Sequence, residues 1–462
     1  MTRVMSGQDL IDAGLRQGRW FAQALAAANG VLDAGGTQEE AMAAALAFAP
    51  SAASPLRAPG ELPFHVNIAA ENADEQANVE AVKASMAELM RTPVVRAGAI
   101  LPDACPAGPP GTVPVGGVVA SDAIHPGMHS ADICCSMAIS VLPGAAPGAL
   151  LDAVQAVTHF GPGGRPRGQQ IRPPDDVLAA FAAHPLLADG VSGAIEHFGT
   201  QGDGNHFAFV GTLRSTGETA LVTHHGSRGP GARLFDKGMR LAERTRRDLS
   251  PETLAQNAWI PADSADGESY FAALQAIRSW TKASHFVLHD MAAERVGAKV
   301  SDRFWNEHNF VFRKSDGLFY HGKGATPAFA GFAPDATDLT LIPLNMAEPV
   351  LIVRGRDAPH ALGFSPHGAG RNFSRGQHRR QNAGRPDAEI FAQETAGIDA
   401  RFYCGVADIS ELPSAYKNAA AVRAQIERFG LADVVDEVVP YGSIMAGDWQ
   451  ANAPWRRKRQ RT

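Results

Sequence analysis

Glycine and proline constrain this chain more than any other feature. It holds 47 glycines and 31 prolines in 462 residues, roughly one residue in six where about one in eight is usual. From residue 97 to 127 they interrupt every apolar run, as in Val113-Pro114-Val115-Gly116-Gly117-Val118-Val119. Proline fixes φ and removes a donor, while glycine opens turn conformations. Such a texture predicts brief strands joined by tight turns, not a helical bundle. Hydrophobic residues make up 45%, enough for a sizeable core. No run approaches the ~20 apolar residues of a membrane span, and the first nine residues lead into no secretory pattern. Cys105, Cys134, Cys135 and Cys404 are too few for a disulfide scaffold. That favours a reducing cytoplasm, with thiols free for metal or catalytic chemistry. The net charge of -6 excludes a globally basic nucleic-acid coat but leaves room for a local basic channel.

Helical spacing recurs at 8–28, with a stop at Gly35-Gly36, and again after the capping box Thr37-Gln38-Glu39-Glu40. Residues 51–59 read as a Pro/Ala/Ser linker. The pattern at 69–90 puts Val79, Val82, Met86 and Leu89 on one side and predicts a packing helix without chemistry. Further helices are expected at 173–183, 231–246, 268–296 and 414–428. Strands are expected at 137–142, 206–213, 220–224, 309–312, 339–342 and 350–353. The alternation is irregular, which predicts an α+β fold with mixed β-sheets. The chain divides into a helical extension over 1–60, a main domain over 61–448 and a basic tail over 449–462.

Five short strings carry reactive groups beside glycines or at element ends: Asp132-Ile133-Cys134-Cys135, Gly202 to Phe207, Thr223 to Gly229, Glu307-His308-Asn309-Phe310, and Ser365 to Arg371. Loops on a rigid scaffold are where reactive groups are displayed. One Asp, one Cys and three His make a donor set for one or two divalent transition metals. A thiolate among imidazoles suggests zinc, and a hard carboxylate also accommodates manganese. Competing signals are weaker. His285 and His289 are four apart but lack the Glu of a zincin, so helix packing is the better reading. Gly202-Asp203-Gly204 lacks the third glycine of a dinucleotide fingerprint, and Cys134-Cys135 is vicinal. Cations cluster at Arg371, Arg375, His378, Arg379, Arg380 and Arg385, where they suit phosphate, and from Arg456 to Arg461, where a solvated end is the plainer reading.

At these residues, from about 97 to 447, the sequence resembles the RtcB family of RNA-splicing ligases. The resemblance rests on Leu101-Pro102-Asp103 through Asp132 and Cys135, on Gly204-Asn205-His206-Phe207, and on His224 to Gly229. It continues through His308-Asn309, His321 to Thr326, His367 to Arg371, and Ala415-Tyr416-Lys417. It implies an RtcB-like α+β fold over 61–448 and a ligation that depends on manganese and GTP. His367 would attack the nucleotide, and the ligands of two Mn2+ would be Asp132, Cys135, His206, His224 and His308, with Cys135 touching both. Zn2+ is the alternative metal. Asn205, Asn345, His367, Gly368, Ala369, Gly370, Arg371 and Tyr416 would bind the nucleotide. Arg228, Lys323 and Arg371 would hold phosphates of the RNA. The implied partners are RNA, tRNA above all, with 2′,3′-cyclic phosphate or 3′-phosphate and 5′-hydroxyl ends, and an archease-type activator.

The chain also departs from the family pattern. The family's guanine-contacting Glu is here Phe209, its Pro-Gly-Ser-Met is Pro343-Leu344-Asn345-Met346, and its C-terminal Lys-Gly is Ala446-Gly447. Cys105 and His225 replace a His and a Ser. Losing polar base readers removes discrimination between bases. The expectation is therefore an RNA ligase, with GTP or another NTP as co-substrate and altered nucleotide choice. The alternative is a metal-dependent cyclic phosphodiesterase or an RNA-end-binding protein that has lost ligation.

Overall fold

The computed structural model describes residues 4–450 apart from 16, 19 and 49–53. Part of the 51–59 linker and residues 451–462 of the basic tail lie outside the described residues. Among the described residues no helix is long and apolar enough to cross a membrane.

The chain separates into two compact units, one formed by residues 1–55 with 244–252 and the other by the rest. The first contains helices Gly7–Asp12, Phe21–Asp33 and Gln38–Leu46, packed through Leu10, Phe21, Ala24, Ala28 and Leu32. The single helix expected over 8–28 is therefore two. Gly14, at φ 83°, takes a left-handed conformation that ends the first. The capping box expected at Thr37 forms: its hydroxyl accepts from the Glu40 amide while the Glu40 carboxylate accepts from the Thr37 amide.

The second unit is α+β and is built on two main sheets. One runs His65–Val66, Val95–Cys105, Val115–Ser121, Phe319–Lys323, Asn309–Arg313. The other runs Leu339–Ile342, Val350–Gly355, Ala432–Met445, Phe207–Leu213, Thr219–His225, Ser136–Leu142, Asp302–Glu307, with Asp399–Phe402 added beside Ala432–Met445. Its two ends nearly meet, because the Leu341 amide on one edge strand donates to the Asn306 Oδ1 on the other at 2.9 Å. Such closure removes an exposed edge.

All six strand expectations fall on strands. Two long strands were not legible, and both contain proline. Val95–Cys105 tolerates Pro102 at a register break between Ile100 and Cys105, and Ala432–Met445 tolerates Pro440 at a bulge before Gly442. Proline is accommodated where the ladder is already interrupted. The helix expected over 414–428 starts only at Ala419. Asn418 caps it by accepting from the Ala421 amide, and Pro413 sits in a separate 3-10 turn.

The sheets place the reactive strings together. Asp302–Glu307 belongs to the larger sheet and Asn309–Arg313 to the smaller, so His308 lies where the chain crosses between them. His206 precedes Phe207–Leu213, His224 lies near the end of Thr219–His225, and Cys135 immediately precedes Ser136–Leu142. His367 follows Phe364–Pro366, which pairs with Ala325–Pro327.

Candidate functional site

Five side chains from four separate segments converge. Cys135 Sγ lies 3.4 Å from His206 Nε2 and 3.2 Å from His224 Nε2. His206 Nε2 is 3.1 Å from Asp132 Oδ2, and His224 Nε2 is 3.1 Å from His308 Nε2. Two donor groups result, Asp132-Cys135-His206 and Cys135-His224-His308, and Cys135 is common to both. The local chain supports this placement. Cys134 takes φ 57°, a conformation costly for a side-chain-bearing residue, and its amide donates to the Asn309 carbonyl at 2.7 Å. The His308 amide donates to the Cys135 carbonyl at 2.8 Å.

Protonation also suits cation binding. His224 Nδ1 donates to the Asn205 carbonyl at 3.1 Å, which leaves the Nε2 lone pair facing the cluster. Burial holds His224 and His308 well below the usual imidazole range, so both are neutral. Burial and the nearby Asp132 charge push the Cys135 thiol well up. Two neutral ring nitrogens 3.1 Å apart, beside a sulfur and a carboxylate, fit a divalent cation, whose binding would displace the thiol proton.

Next to this cluster the His367 ring centroid lies 5.0 Å from that of His308. His367 Nδ1 donates to Asp103 Oδ2 at 2.5 Å, and its backbone amide donates to the same oxygen at 3.2 Å. The Asp103 side chain is fully buried. That bond fixes the tautomer and leaves the Nε2 lone pair free. Lys417 Nζ donates to the Pro102 and Ala104 carbonyls, at 3.2 and 2.8 Å, and so grips the strand on both sides of Asp103. Gly370, at φ 72°, allows the next turn to pass: a Cβ there would overlap the Asp103 carbonyl.

Both groups open on a cavity of about 410 Å³. Asp132, Cys135, His224 and His308 line it, as do Asn205, Lys323, Asn345, Tyr416 and the run from His367 to Arg371. His206 and Arg228 are not on its wall. Arg228 Nη2 is drawn away to the Gly161 carbonyl at 2.9 Å. Several of these polar groups are already engaged: Lys323 Nζ donates to the Val113 carbonyl, and the Asn345 Oδ1 accepts from Ala347. Phe207, Phe209, Leu344, Met346, Val350 and Met445 add apolar surface to its wall, and the Phe207 ring lies 5.3 Å from that of His224.

Glu411 was not anticipated. Its buried carboxylate accepts from Tyr416 Oη and Arg375 Nε, both at 2.5 Å, and lies 3.4 Å from Arg371 Nη1. The Arg371 guanidinium also lies over the Tyr416 ring, 5.1 Å from its centroid. Three of the six cations in the basic cluster are paired with acids: Arg371 and Arg375 lean on Glu411, and Arg379 on Asp408 and Asp448. Asp103 was part of a motif string but carried no assigned role. Asp103 meets His367 264 positions away, and Glu411 meets Arg375 and Arg371 36 and 40 positions back, separations that no local spacing reveals.

An α+β scaffold with a shared-thiol cluster of carboxylate and imidazoles, opening on a cavity beside a carboxylate-held histidine, defines the class as a protein with a candidate metal site. The chain belongs to the RtcB family: the family model described as tRNA-splicing ligase RtcB matches residues 182–446. It is similar to the tRNA-splicing ligase RtcB of Thermococcus kodakarensis, 27% identical over 53% of this chain and 58% of that protein. It is equally similar to that of Pyrococcus abyssi, 27% identical over 53% of this chain and 31% of that protein. The RNA-splicing ligase RtcB of Mycobacterium tuberculosis is 26% identical over 58% of this chain and 69% of its own length. The chain thus spans less than two thirds of the first two relatives.

Proposed function

We propose that this chain is a metal-dependent RNA ligase that joins RNA 3′-phosphate or 2′,3′-cyclic phosphate ends to 5′-hydroxyl ends through a nucleotidylated His367. The observation that carries this is a histidine held by a buried carboxylate beside two donor groups sharing one sulfur. Asp132, Cys135, His206, His224 and His308 would hold two manganese ions, or zinc, which the thiolate and imidazoles also suit. Bound there, the ions would supply neutralisation of phosphoryl charge.

His367 Nε2 attacks the α-phosphorus of the nucleotide, forming an N–P bond as the α–β bond breaks and pyrophosphate leaves. A 2′,3′-cyclic end is first opened by water to a 3′-phosphate. That phosphate takes the nucleotide from His367, and the 5′-hydroxyl oxygen then attacks, releasing the mononucleotide as the phosphodiester forms. Asp103 keeps the His367 proton on Nδ1 throughout. Arg228, Lys323 and Arg371 serve the phosphates of the RNA. The names carried by the relatives, tRNA-splicing and RNA-splicing ligase, support RNA as the substrate class, tRNA among it, and four free thiols suit a reducing cytoplasm as the setting. An archease-type activator completes the reading.

Phe209 stands where the resemblance implies a guanine-reading Glu, and Phe207, Leu344 and Met346 add apolar surface to the same wall. Nucleotide choice is therefore relaxed, and incubation with manganese and each labelled NTP tests this; adduct formation with GTP alone counts against it. The same apolar surface favours the second reading, a phosphodiesterase that only opens cyclic phosphates. A gel of end-labelled RNA separates the two, since joined product supports ligation and an opened but unjoined end supports the alternative. His367→Ala should abolish the covalent nucleotide and leave bound metal nearly unchanged. A persisting adduct would reassign the nucleophile.

A further inference from the structure

Off the cavity wall, the chain builds a second surface from one guanidinium and three aromatic rings. Arg228 is the joint. Its charge is felt by Asp132, Cys135 and Asp203. Its guanidinium lies against Gly202, where a Cβ would overlap it, and donates to the Gly161 carbonyl at 2.9 Å. Arg228 Nε is buried and has no partner, and the side chain forms no carboxylate hydrogen bond among the described residues.

Immediately beyond it, the six-membered ring of Trp449 covers Gly161, with Cζ2 and Cε2 3.0 and 3.2 Å from where a Cβ would stand. The indole is 40% exposed although it packs on that backbone. Tyr403 lies beside it, ring centroids 6.4 Å apart and 38° between planes, and His159 lies 6.2 Å from Tyr403. A second cation, Arg165, is buried within electrostatic reach of His159 and Tyr403; its Nη2 donates to the carbonyls of Val157 and Gly199, both at 2.7 Å, and its Nε has no partner. In a chain of net charge -6, a guanidinium without a hydrogen-bonded carboxylate, meeting the same Gly161 backbone as an exposed indole, is a local exception that suits an anion carrying flat rings.

We propose that this surface is a stacking platform for single-stranded RNA: a base near the reacting end lies on Trp449 with Tyr403 beside it, and the phosphate between that base and the end falls at Arg228. A positively charged groove with aromatic rings is how single strands are held without sequence preference. The order of the parts fits this use, since the guanidinium lies between the donor cluster and the rings, as a phosphate lies between an end and its neighbouring base. The inference rests on the reading of the chain as an RNA-end enzyme.

The test uses the full chain and fluorescence anisotropy with a single-stranded octanucleotide and a dinucleotide, each made with a 3′-phosphate or with a 5′-hydroxyl. Wild-type protein should bind the octanucleotide more tightly than the dinucleotide, and the terminus showing the larger difference identifies the strand on the platform. Trp449→Ala should weaken octanucleotide binding about tenfold and Trp449→Phe should retain most of it. Adduct formation with labelled NTP should be unaffected in both variants, because Trp449 is not on the cavity wall. If Trp449→Ala binds the octanucleotide as wild type does, the platform is overturned. Wild-type protein that forms the His367 adduct yet shows no length dependence overturns the platform alone. Wild-type protein that forms no adduct and binds no RNA overturns the ligase reading with it.

Discussion

Asp103 has no exposed side-chain surface and takes two hydrogen bonds from His367, one from the ring and one from the backbone. Its ring bond decides which nitrogen carries the proton, and a nucleophilic imidazole needs that choice made before substrate arrives. Asp103→Asn keeps the shape but offers an amide that can turn its donor toward the ring and favour the wrong tautomer. The rate of adduct formation should fall by about 10²–10⁴, with metal content unchanged by elemental analysis. A rate within a few-fold of wild type would show that the carboxylate does not set the tautomer. Sequence reading reached His367 and the five converging ligand candidates because each stands in a short string beside glycine or at an element end. It did not reach the roles of Asp103, Glu411 and Lys417, whose partners are set by the packing of distant segments.

The helix Ala265–Arg295 shows what spacing can and cannot reveal. His285 and His289, four apart, are both fully buried, as the packing reading expected. What the spacing hid is how they are satisfied. His285 Nδ1 and His289 Nε2 both reach Thr223 Oγ1, at 2.7 and 2.8 Å, while their other ring nitrogens meet Ser136 and Ser140 at 3.0 and 2.8 Å. The helix is thereby fastened to the two strands that lead to Cys135 and His224. Thr223→Val removes one hydroxyl and strands two buried nitrogens, which should destabilise the protein by about 1–3 kcal/mol in urea unfolding. A change under about 0.5 kcal/mol, the range of ordinary surface substitutions, would mean that the network relaxes around the loss. The same limit applies to the fold. Helices with apolar periodicity and short β-branched strands were legible; Val95–Cys105 and Ala432–Met445 were not, because proline and glycine at their bulges read locally as turns.

Across the whole second unit, buried imidazoles set the response to acid. Burial lowers His125 and His129 to about 4, and His225 and His289 to about 3. His125 bonds Ser121 and the Asn257 carbonyl, and His129 bonds the Ser130 carbonyl and Tyr270, so these histidines are satisfied as neutral rings. In the unfolded chain the same groups titrate near 6.5. Folded values below the unfolded value mean that the stabilisation is complete above about pH 6.5 and is lost as pH falls toward about 4, because the unfolded chain takes up protons first. Each such histidine adds a slope of about 1.4 kcal/mol per pH unit within that window. His125 and His129 together therefore remove about 3 kcal/mol per unit, a large part of a typical stability of about 5–15 kcal/mol. Urea midpoints measured from about pH 7 down to pH 5 should fall steeply, with at least two protons taken up on unfolding. His125→Asn should lower that uptake by about one even if the variant is less stable throughout. Midpoints that stay level across the window would mean that these rings are already charged in the folded protein, and their neutral hydrogen-bonding pattern would have to be redrawn.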